Sequence, residues 1–580
     1  MESQTANSSH SVRYQPDERP PRALTVGLGF QAAILTFTPI ITLPLVIMQA
    51  ADQGEAYTSW AIFMAVLISG ITTIVQAVRV GRFGAGHILI MGTSASFIAV
   101  SITALTEGGP ALLATLIIVS SAIQFALAAR LSLLRRFVTP VVSGTLLALI
   151  VLTVIPVVFD MMTKVPEGTP ASAAPVCVVV TLSIIAALTL RAPDAWRLWA
   201  PVIGLGGGCI VAAFFGLYDT QRVAAAAWIG LPHIVWPGFD LTFDGRFWLL
   251  LPSFVFVTLI GAVDTIADTT AIQHISWRDR RTVDLRLVQG AVNADGLGNL
   301  LSGLAGTIPN ATYSASVSLA ELTGVGARSV GVYIGLIFIV LAFLPKVTAL
   351  LIAIPAPVVG AYLFVLIALV FVQALKLMVQ DGIDTRMSLI VGVGFLVGVG
   401  FQSQALFTDY LSETISKMLE DGMTSGGLTL LVLLLFMELT APRRSRLAME
   451  LDIAGLPQLD AFLRALAARM HWNPGSTERL CSAGEEALLS LVHQDEDEAD
   501  REGRHLLVVA RNDHGTAELD FIAALGEDNL EDRMLILREQ VDQPNERELS
   551  LRLLRHFASS VRHQQYHDID IVTVRVDGSR

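Results

Sequence analysis

Three aspartates stand in sequence otherwise apolar enough for a membrane. Asp264 and Asp268 lie four residues apart in PSFVFVTLIGAVDTIADTTAIQHISW, and Asp295 opens NADGLGNLLSGLAGTIPNATYSASVSLAELTG. The i, i+4 spacing puts the first two carboxylates on one face of a helix. A charged side chain at the centre of a bilayer costs roughly 3 kcal/mol or more, so an acid kept there is a functional-site candidate by default. Low dielectric favours the neutral form of a carboxyl group, which equips such acids to take up and release protons. Apart from Arg286 at the edge of one run, no Lys or Arg falls inside the surrounding apolar runs to neutralise them. The chemistry suggested is the grip of a polar passenger together with exchange of a cation, proton or sodium. The plainer reading makes each aspartate a neutral, hydrogen-bonded structural group, Asp268 lying closer to the cytoplasmic end.

Such acids need a cavity, and two stretches are composed to make one. GAGHILIMGTSASF (Gly84 to Phe97) and GTIPNATYSASVS (Gly306 to Ser318) mix glycine, proline and small hydroxyl residues into apolar runs. Gly and Pro spoil a plain spanning helix, and irregular backbone is tolerated in a bilayer only where protein buries it or it lines a cavity. Half-helices starting there would aim backbone N–H groups and the positive ends of their dipoles inward. Ser94 and Ser96 come from the first stretch, and Asn310, Thr312, Tyr313, Ser314 and Ser316 from the second. Tyr313 and Phe97 are candidates to stack on a flat ring. His87 and His274 fall at run ends and are expected at the interface, an ordinary place for amphipathic side chains. The alternative role for these glycines is close helix packing.

The whole chain fits this setting. It has 580 residues, 53% hydrophobic and 16% charged, where a soluble chain carries roughly 25% charged. Apolar runs give about fourteen spans on the bilayer-thickness rule. They lie near 24–46, 57–78, 86–105, 110–129, 138–158, 173–190, 200–216, 247–273, 284–304, 307–325, 329–344, 350–376, 387–402 and 424–441. Basic residues divide 20 against 5 between alternate connecting segments, which places both termini in the cytosol by the positive-inside rule. The interrupted stretches are third and tenth in order, corresponding positions in two halves. An odd number of spans per half makes the halves inverted, which places a binding site between paired broken helices.

Met1 to Pro21 reads as a cytosolic tail, too polar for a signal peptide. Cys177, Cys209 and Cys481 have no spacing that indicates a disulfide framework or a zinc site. The net charge of −12 belongs to the tail: Leu451 to Arg580 holds 14 Arg and no Lys against 25 Asp and Glu. Nothing in this pattern points to nucleic acid.

With GRFGAGHILIMGTSASF, RRFVTPVVSGT, AVDTIADTTA, NADGLGNLLSGLAGTIPNATYS and ELTGVGARSVG in view, residues from about Arg22 to Arg446 resemble the nucleobase–ascorbate transporter family, the xanthine/uracil permeases. The resemblance implies an all-α polytopic membrane protein, fourteen spans in inverted seven-span repeats, with a mobile core domain and a dimerising gate domain. It implies proton-coupled import of purines or pyrimidines and no cofactor beyond the coupling ion. By position, Asp264 matches the family's span-eight Glu that binds the base, Asp268 the second acid of that motif, and Asp295 the span-nine Asp. The expected site is therefore Asp264 with Ser94, Ala95, Ser314, Ala315 and Ser316 against substrate, and Asp268 and Asp295 for proton coupling. The chain departs from the pattern at span ten, where Ala315, Ser316, Val317 and Ser318 replace a signature of Gln or Glu, Asn, any residue and Gly. Thr323 and Gly324 keep its end. Ala32 stands for a span-one His and Ala95 for a Phe.

In residues 447–580, LPQLDAFLRALAARM, ERLCSAGEEALLSLV and a β-rich pattern ending LLRHFASSVRHQQYHDIDIVTVRV resemble, more faintly, the small ATPase domain of anti-sigma-factor kinases, which implies an acidic cytosolic α/β domain; a generic acidic α/β regulatory domain is the alternative. Ser490 takes the place of that family's magnesium-holding Asn, and no Asp-x-Gly-x-Gly box is present, so nucleotide binding is expected to be lost. The run Asp495 to Asp500 reads as a solvated loop. A nucleobase-like small molecule, membrane lipid, a second copy in a homodimer and a cytosolic regulator of the tail are the expected partners, in the cytoplasmic (inner) membrane. A small-anion carrier on the same fold and a non-transporting sensor are the alternative functions.

Overall fold

The computed structural model describes residues 12–128, 140–193, 199–278, 283–379, 385–403, 419, 422–440, 445–495, 505–513, 516–523, 554, 556–566 and 569–578. Arg130, Arg135, Arg136, Arg197, Arg280, Arg281, Lys417, Arg443 and Arg444, which contribute to the charge count, lie outside these residues, as do 496–500 of the acidic run. The chain divides into two compact units, residues 1–276 with 289–436 and residues 277–288 with 437–580.

The first unit is helical because its apolar runs must satisfy their own backbone polar groups in lipid. Its first half holds α1 (Arg22–Ala50), α2 (Glu55–Val78), a four-residue strand β1 (Ile90–Thr93), α3 (Ile98–Ala128), α4 (Pro140–Thr163), α5 (Ala173–Arg191), α6 (Ala200–Phe214) and the short α7 (Thr220–Ala225). Then come α8 (Gly245–Ile275), α9 (Leu285–Ala305), the strand β2 (Asn310–Tyr313), α10 (Ala315–Thr323), α11 (Arg328–Ala342), α12 (Pro345–Ile352), α13 (Ala356–Val379), α14 (Thr385–Gln402) and α15 (Gly422–Thr440).

Among the described residues seven helices are long and apolar enough to cross a membrane, or eight if α11 and α12, bent by 80°, make one span. The difference from the apolar runs has local causes. Runs 86–105 and 110–129 share α3, which breaks at Gly109 (φ 73°, ψ −172°) just before Pro110. Runs 200–216, 387–402 and 424–441 form shorter apolar helices. Run 307–325 is half strand and half helix.

Packing sorts these helices into two groups. In one, α1 packs on α2, α3 and α11, α2 on α11, and α3 on α8. In the other, α13 packs on α4, α5 and α6, α5 on α6, and α14 on α4. The α2–α11 crossing is the tightest of the first group and depends on glycine. A Cβ on Gly335 would stand 2.5 Å from Gly70 O, and one on Gly70 would stand 2.7 Å from Gly335 O. Small residues let backbones approach this closely where lipid supplies no hydrophobic drive to association.

The second unit contains an antiparallel five-stranded sheet in the order β3 (Ser445–Glu450), β4 (His505–Asp513), β5 (Thr516–Ala523), β7 (Ile569–Asp577), β6 (Ser560–Tyr566). Alternation decides its faces. Ala517, Leu519, Phe521, Val572, Val574 and Val576 are buried in one core with Leu459 and Leu463 of α16 (Leu456–Arg469) and Leu480, Leu488 and Leu491 of α17 (Pro474–Asp495). The intervening positions are polar. Glu518 pairs with Arg511 at 2.6 Å and Arg575 at 3.3 Å, and Thr573 Oγ1 donates to Asp520 Oδ1 at 2.7 Å. Burial pushes the Cys481 thiol up to about 12, which leaves it unreactive.

Gly335→Val should lower the melting temperature of the purified protein, at a cost of about 1–3 kcal/mol from overpacking. Gly261→Ala, where an added Cβ meets nothing within 4 Å, should leave it unchanged or raised. Equal melting for Gly335→Val and the parent would show that the α2–α11 contact is absent.

Candidate functional site

Both interrupted stretches leave the helical path as strands. β1 and β2 then pair antiparallel, with Ile90 opposite Tyr313, Met91 opposite Thr312, Gly92 opposite Ala311 and Thr93 opposite Asn310. Pro309 brings no N–H to a helix, and its carbonyl accepts from Ser94 N at 3.0 Å. Side-chain-to-backbone bonds tie the broken segments to the neighbouring helices in both directions. Thr73 Oγ1 accepts from Met91 N (2.9 Å), Thr93 Oγ1 donates to Ile40 O (3.1 Å), and Thr307 Oγ1 donates to Ala61 O (2.6 Å). Tyr57 Oη donates to Gly306 O at 2.9 Å and Trp60 Nε1 to Ala305 O at 2.9 Å. After the ladder each chain turns helical again, through the 3₁₀ turn Ala95–Phe97 into α3 and directly into α10. Helix α8 packs on the 3₁₀ turn, on β2 and on α10.

The three aspartates meet this assembly differently. Asp268 is buried and doubly held: Thr312 Oγ1 donates to its Oδ2 at 2.8 Å and Ser314 Oγ to its Oδ1 at 2.7 Å. Asp295, only 1% exposed, accepts at Oδ2 from Gln124 Nε2 (2.7 Å) and Thr265 Oγ1 (3.3 Å), while its Oδ1 has no partner among the described residues. Gln124 is fixed in turn, its Oε1 accepting from Asn299 Nδ2 at 3.0 Å, and Asn299 Oδ1 accepts from Asn310 N at 2.8 Å. Asp264 is half-buried, and among the described residues it has neither a hydrogen bond nor an ion pair. It faces the charges of Asp268 and Asp295. One free acid beside two tethered ones is what a site needs if the free acid is to accept from a ligand's N–H groups.

The residues expected to line the site with Asp264 differ in exposure. Ser314 and Ala315 are exposed and Ala95 half-buried, whereas Ser94 and Ser316 are buried. The Ser316 hydroxyl is committed to backbone, accepting from Ile90 N at 2.7 Å and donating to Tyr313 O at 2.7 Å. Phe97, 1% exposed, lies against Phe254 with ring centroids 6.2 Å apart, so its ring is packed inside the protein. Tyr313 donates from Oη to Thr93 O at 2.8 Å, its ring lying over Gly92. His87 is buried inside the protein, with Nδ1 2.9 Å from Ala85 O. Sequence reasoning passed over Gln124, Thr265 and Asn299. A glutamine in the middle of SSAIQFALAA was the readable signal. Among the described residues no group of three His, Cys, Asp or Glu side chains is placed to hold a metal ion.

Known proteins resemble this chain over the same region. The family model for xanthine/uracil permeases, a permease family, matches residues 24–406. Xanthine permease XanP of Escherichia coli (strain K12) is 29% identical over 448 residues, covering 74% of this chain and 95% of that protein. The putative purine permease CPE0397 of Clostridium perfringens (strain 13 / Type A) is 29% identical over 429 residues, covering 74% and 93%. Among solved structures, the transmembrane domain of a cyanobacterium bicarbonate transporter, BicA, is similar with a TM-score of 0.43 and 15% identity, over 72% of this chain and 99% of that one.

A Cβ at Gly92 would stand 2.5 Å from Tyr313 Cζ and 2.6 Å from its Oη. Gly92→Ala should therefore evict the ring and loosen the ladder by about 1–3 kcal/mol. Amide hydrogen exchange across residues 90–93 and 310–313 should accelerate roughly tenfold or more. Unchanged protection would show that the ring does not rest on the strand.

Proposed function

The chain belongs to the xanthine/uracil permease family, and on that premise we propose that it carries a nucleobase or similar flat heterocycle across the cytoplasmic membrane by proton-coupled alternating access. It is a multi-pass membrane permease and not an enzyme. The observation that carries the proposal is the state of Asp264, an acid without a protein partner among the described residues, beside two acids tied into hydrogen-bond networks. A carboxylate accepts bonds from ring N–H groups, and the exposed Ser314 and Ala315 leave room for a ligand at the start of α10. The relatives named for xanthine and purine support that class of passenger.

In this reading Asp264 contacts the base. Ser94, Ala95, Ser314, Ala315 and Ser316 shape the pocket from the two broken segments, Ser316 through its hold on the ladder. Asp268 and Asp295 exchange the proton. About fourteen spans form two inverted repeats within residues 22–446, and the α1–α2–α3–α8–α11 group rocks as the core against the α4–α5–α6–α13–α14 gate. Both termini are cytosolic, the gate joins two copies, and residues 447–580 answer to a cytosolic partner. A small oxyanion is disfavoured as passenger, since the three acids repel it and no ion pair to any of them is found among the described residues.

Asp264→Asn should weaken xanthine binding by about 10–100-fold, the loss of one charge-assisted hydrogen-bond acceptor, while the protein remains inserted. Wild-type uptake of labelled xanthine by that variant would assign the passenger to another residue, and competition by sulfate or bicarbonate instead of uracil would favour an anion carrier. Removal of residues 451–580 should leave uptake intact. Loss of uptake by inserted, truncated protein would make the tail part of the transport machinery.

A further inference from the structure

Asp268 and Asp295 sit on different helices, and two threonine hydroxyls join them. Thr312 Oγ1 is 2.8 Å from Asp268 Oδ2, Thr265 Oγ1 is 3.4 Å from Thr312 Oγ1, and Asp295 Oδ2 is 3.3 Å from Thr265 Oγ1. All four side chains are buried, so water does not compete for them. A hydroxyl both donates and accepts, so such a row can reverse its polarity end to end. Its outer end is tied to the open side of the site, because the exposed Ser314 donates to Asp268 Oδ1 at 2.7 Å.

We propose that Thr312 and Thr265 form a two-hydroxyl proton relay between Asp268 and Asp295, and that contact of the passenger with Ser314 gates it. The relay rests on the proton-coupled reading above. Its step balances without any further reactant. The O–H bond at Asp268 Oδ2 breaks as its proton passes to Thr312 Oγ1, Thr312 passes its own proton to Thr265 Oγ1, and Thr265 passes its own to Asp295 Oδ2. Asp268 is left a carboxylate, Asp295 a neutral acid, and each threonine a neutral hydroxyl turned to face the other way.

The geometry also gives the relay a gate. An O–H···O bond is ordinarily about 2.7–2.8 Å long, so the two inner links stand open by about half an ångström. Thr265 and Asp268 ride on α8, while Thr312 rides on β2, two residues from Ser314. A ligand that draws Ser314 away from Asp268 also shifts Thr312, which closes or opens the row. The titratable group facing both ends is Asp264 of α8. The other elements around the row bring neutral groups: Thr72 from α2, Gln124 from α3, Asn299 from α9 and Asn310 from β2.

The test reconstitutes the full chain in vesicles and compares wild type with Thr312→Val, Thr265→Val and the matching serine substitutions. Accumulation of labelled xanthine under an imposed pH gradient is read beside xanthine counterflow at equal pH on both sides. Counterflow needs no net proton movement, so it should persist in the valine variants while gradient-driven accumulation falls at least tenfold. Serine, which keeps the hydroxyl, should restore accumulation. Valine variants that accumulate like wild type would overturn the relay and leave proton coupling standing. Loss of counterflow together with accumulation would give the hydroxyls a structural role and overturn it as well. Wild-type uptake indifferent to the pH gradient would remove the proton-coupled reading itself.

Discussion

A bilayer offers no hydrogen-bond partners to backbone amides, and every group that leaves a helix there must be met by another part of the chain. The four-residue ladder of β1 on β2 answers that constraint. Each broken segment supplies partners to the other, and side chains of α2, α9 and α10 bond further backbone groups of the two breaks. Because the two strands must lie side by side, the helices that follow them start from the same place. The site exists where it does because the breaks are mutually satisfied.

That arrangement sorts three similar acids into different roles. Asp268 is drawn to β2 and α10 by two hydroxyls, and Asp295 is fixed by Gln124, itself held through Asn299 to the backbone of Asn310. The same residues that complete the ladder thus steady the acids. Asp264, one helical turn before Asp268 on the same face, has no hydrogen bond or ion pair among the described residues. A tethered carboxyl suits the movement of a proton along fixed distances, and a free one suits a ligand that comes and goes. Ala315 is exposed and Ala95 half-buried, so neither brings a polar side chain to the broken segments.

Much of this was legible in the residues because the cost of a buried acid is so high. Asp264, Asp268 and Asp295 stood out against apolar surroundings, and glycine, proline and hydroxyl clusters marked both breaks. Periodicity could not show that the breaks would be strands paired to each other across more than two hundred residues. Run-counting put a boundary between residues 105 and 110, and the backbone does leave the helix at Gly109 (φ 73°, ψ −172°), so α3 is two helical pieces joined at that break. Gln124 and Thr265 were passed over because a neutral polar side chain in a span often bonds its own helix backbone. Phe97 shows the same limit, for its type suited a ligand and its neighbours made it packing.

The most direct test is a count of protons taken up or released when the passenger binds. Xanthine would be titrated into purified protein by calorimetry near neutral pH, in buffers of differing ionisation enthalpy. If the three acids bind substrate and proton together, the observed enthalpy should vary with buffer and give about one proton exchanged per xanthine. Firm binding with an enthalpy independent of buffer across the neutral range would contradict the account.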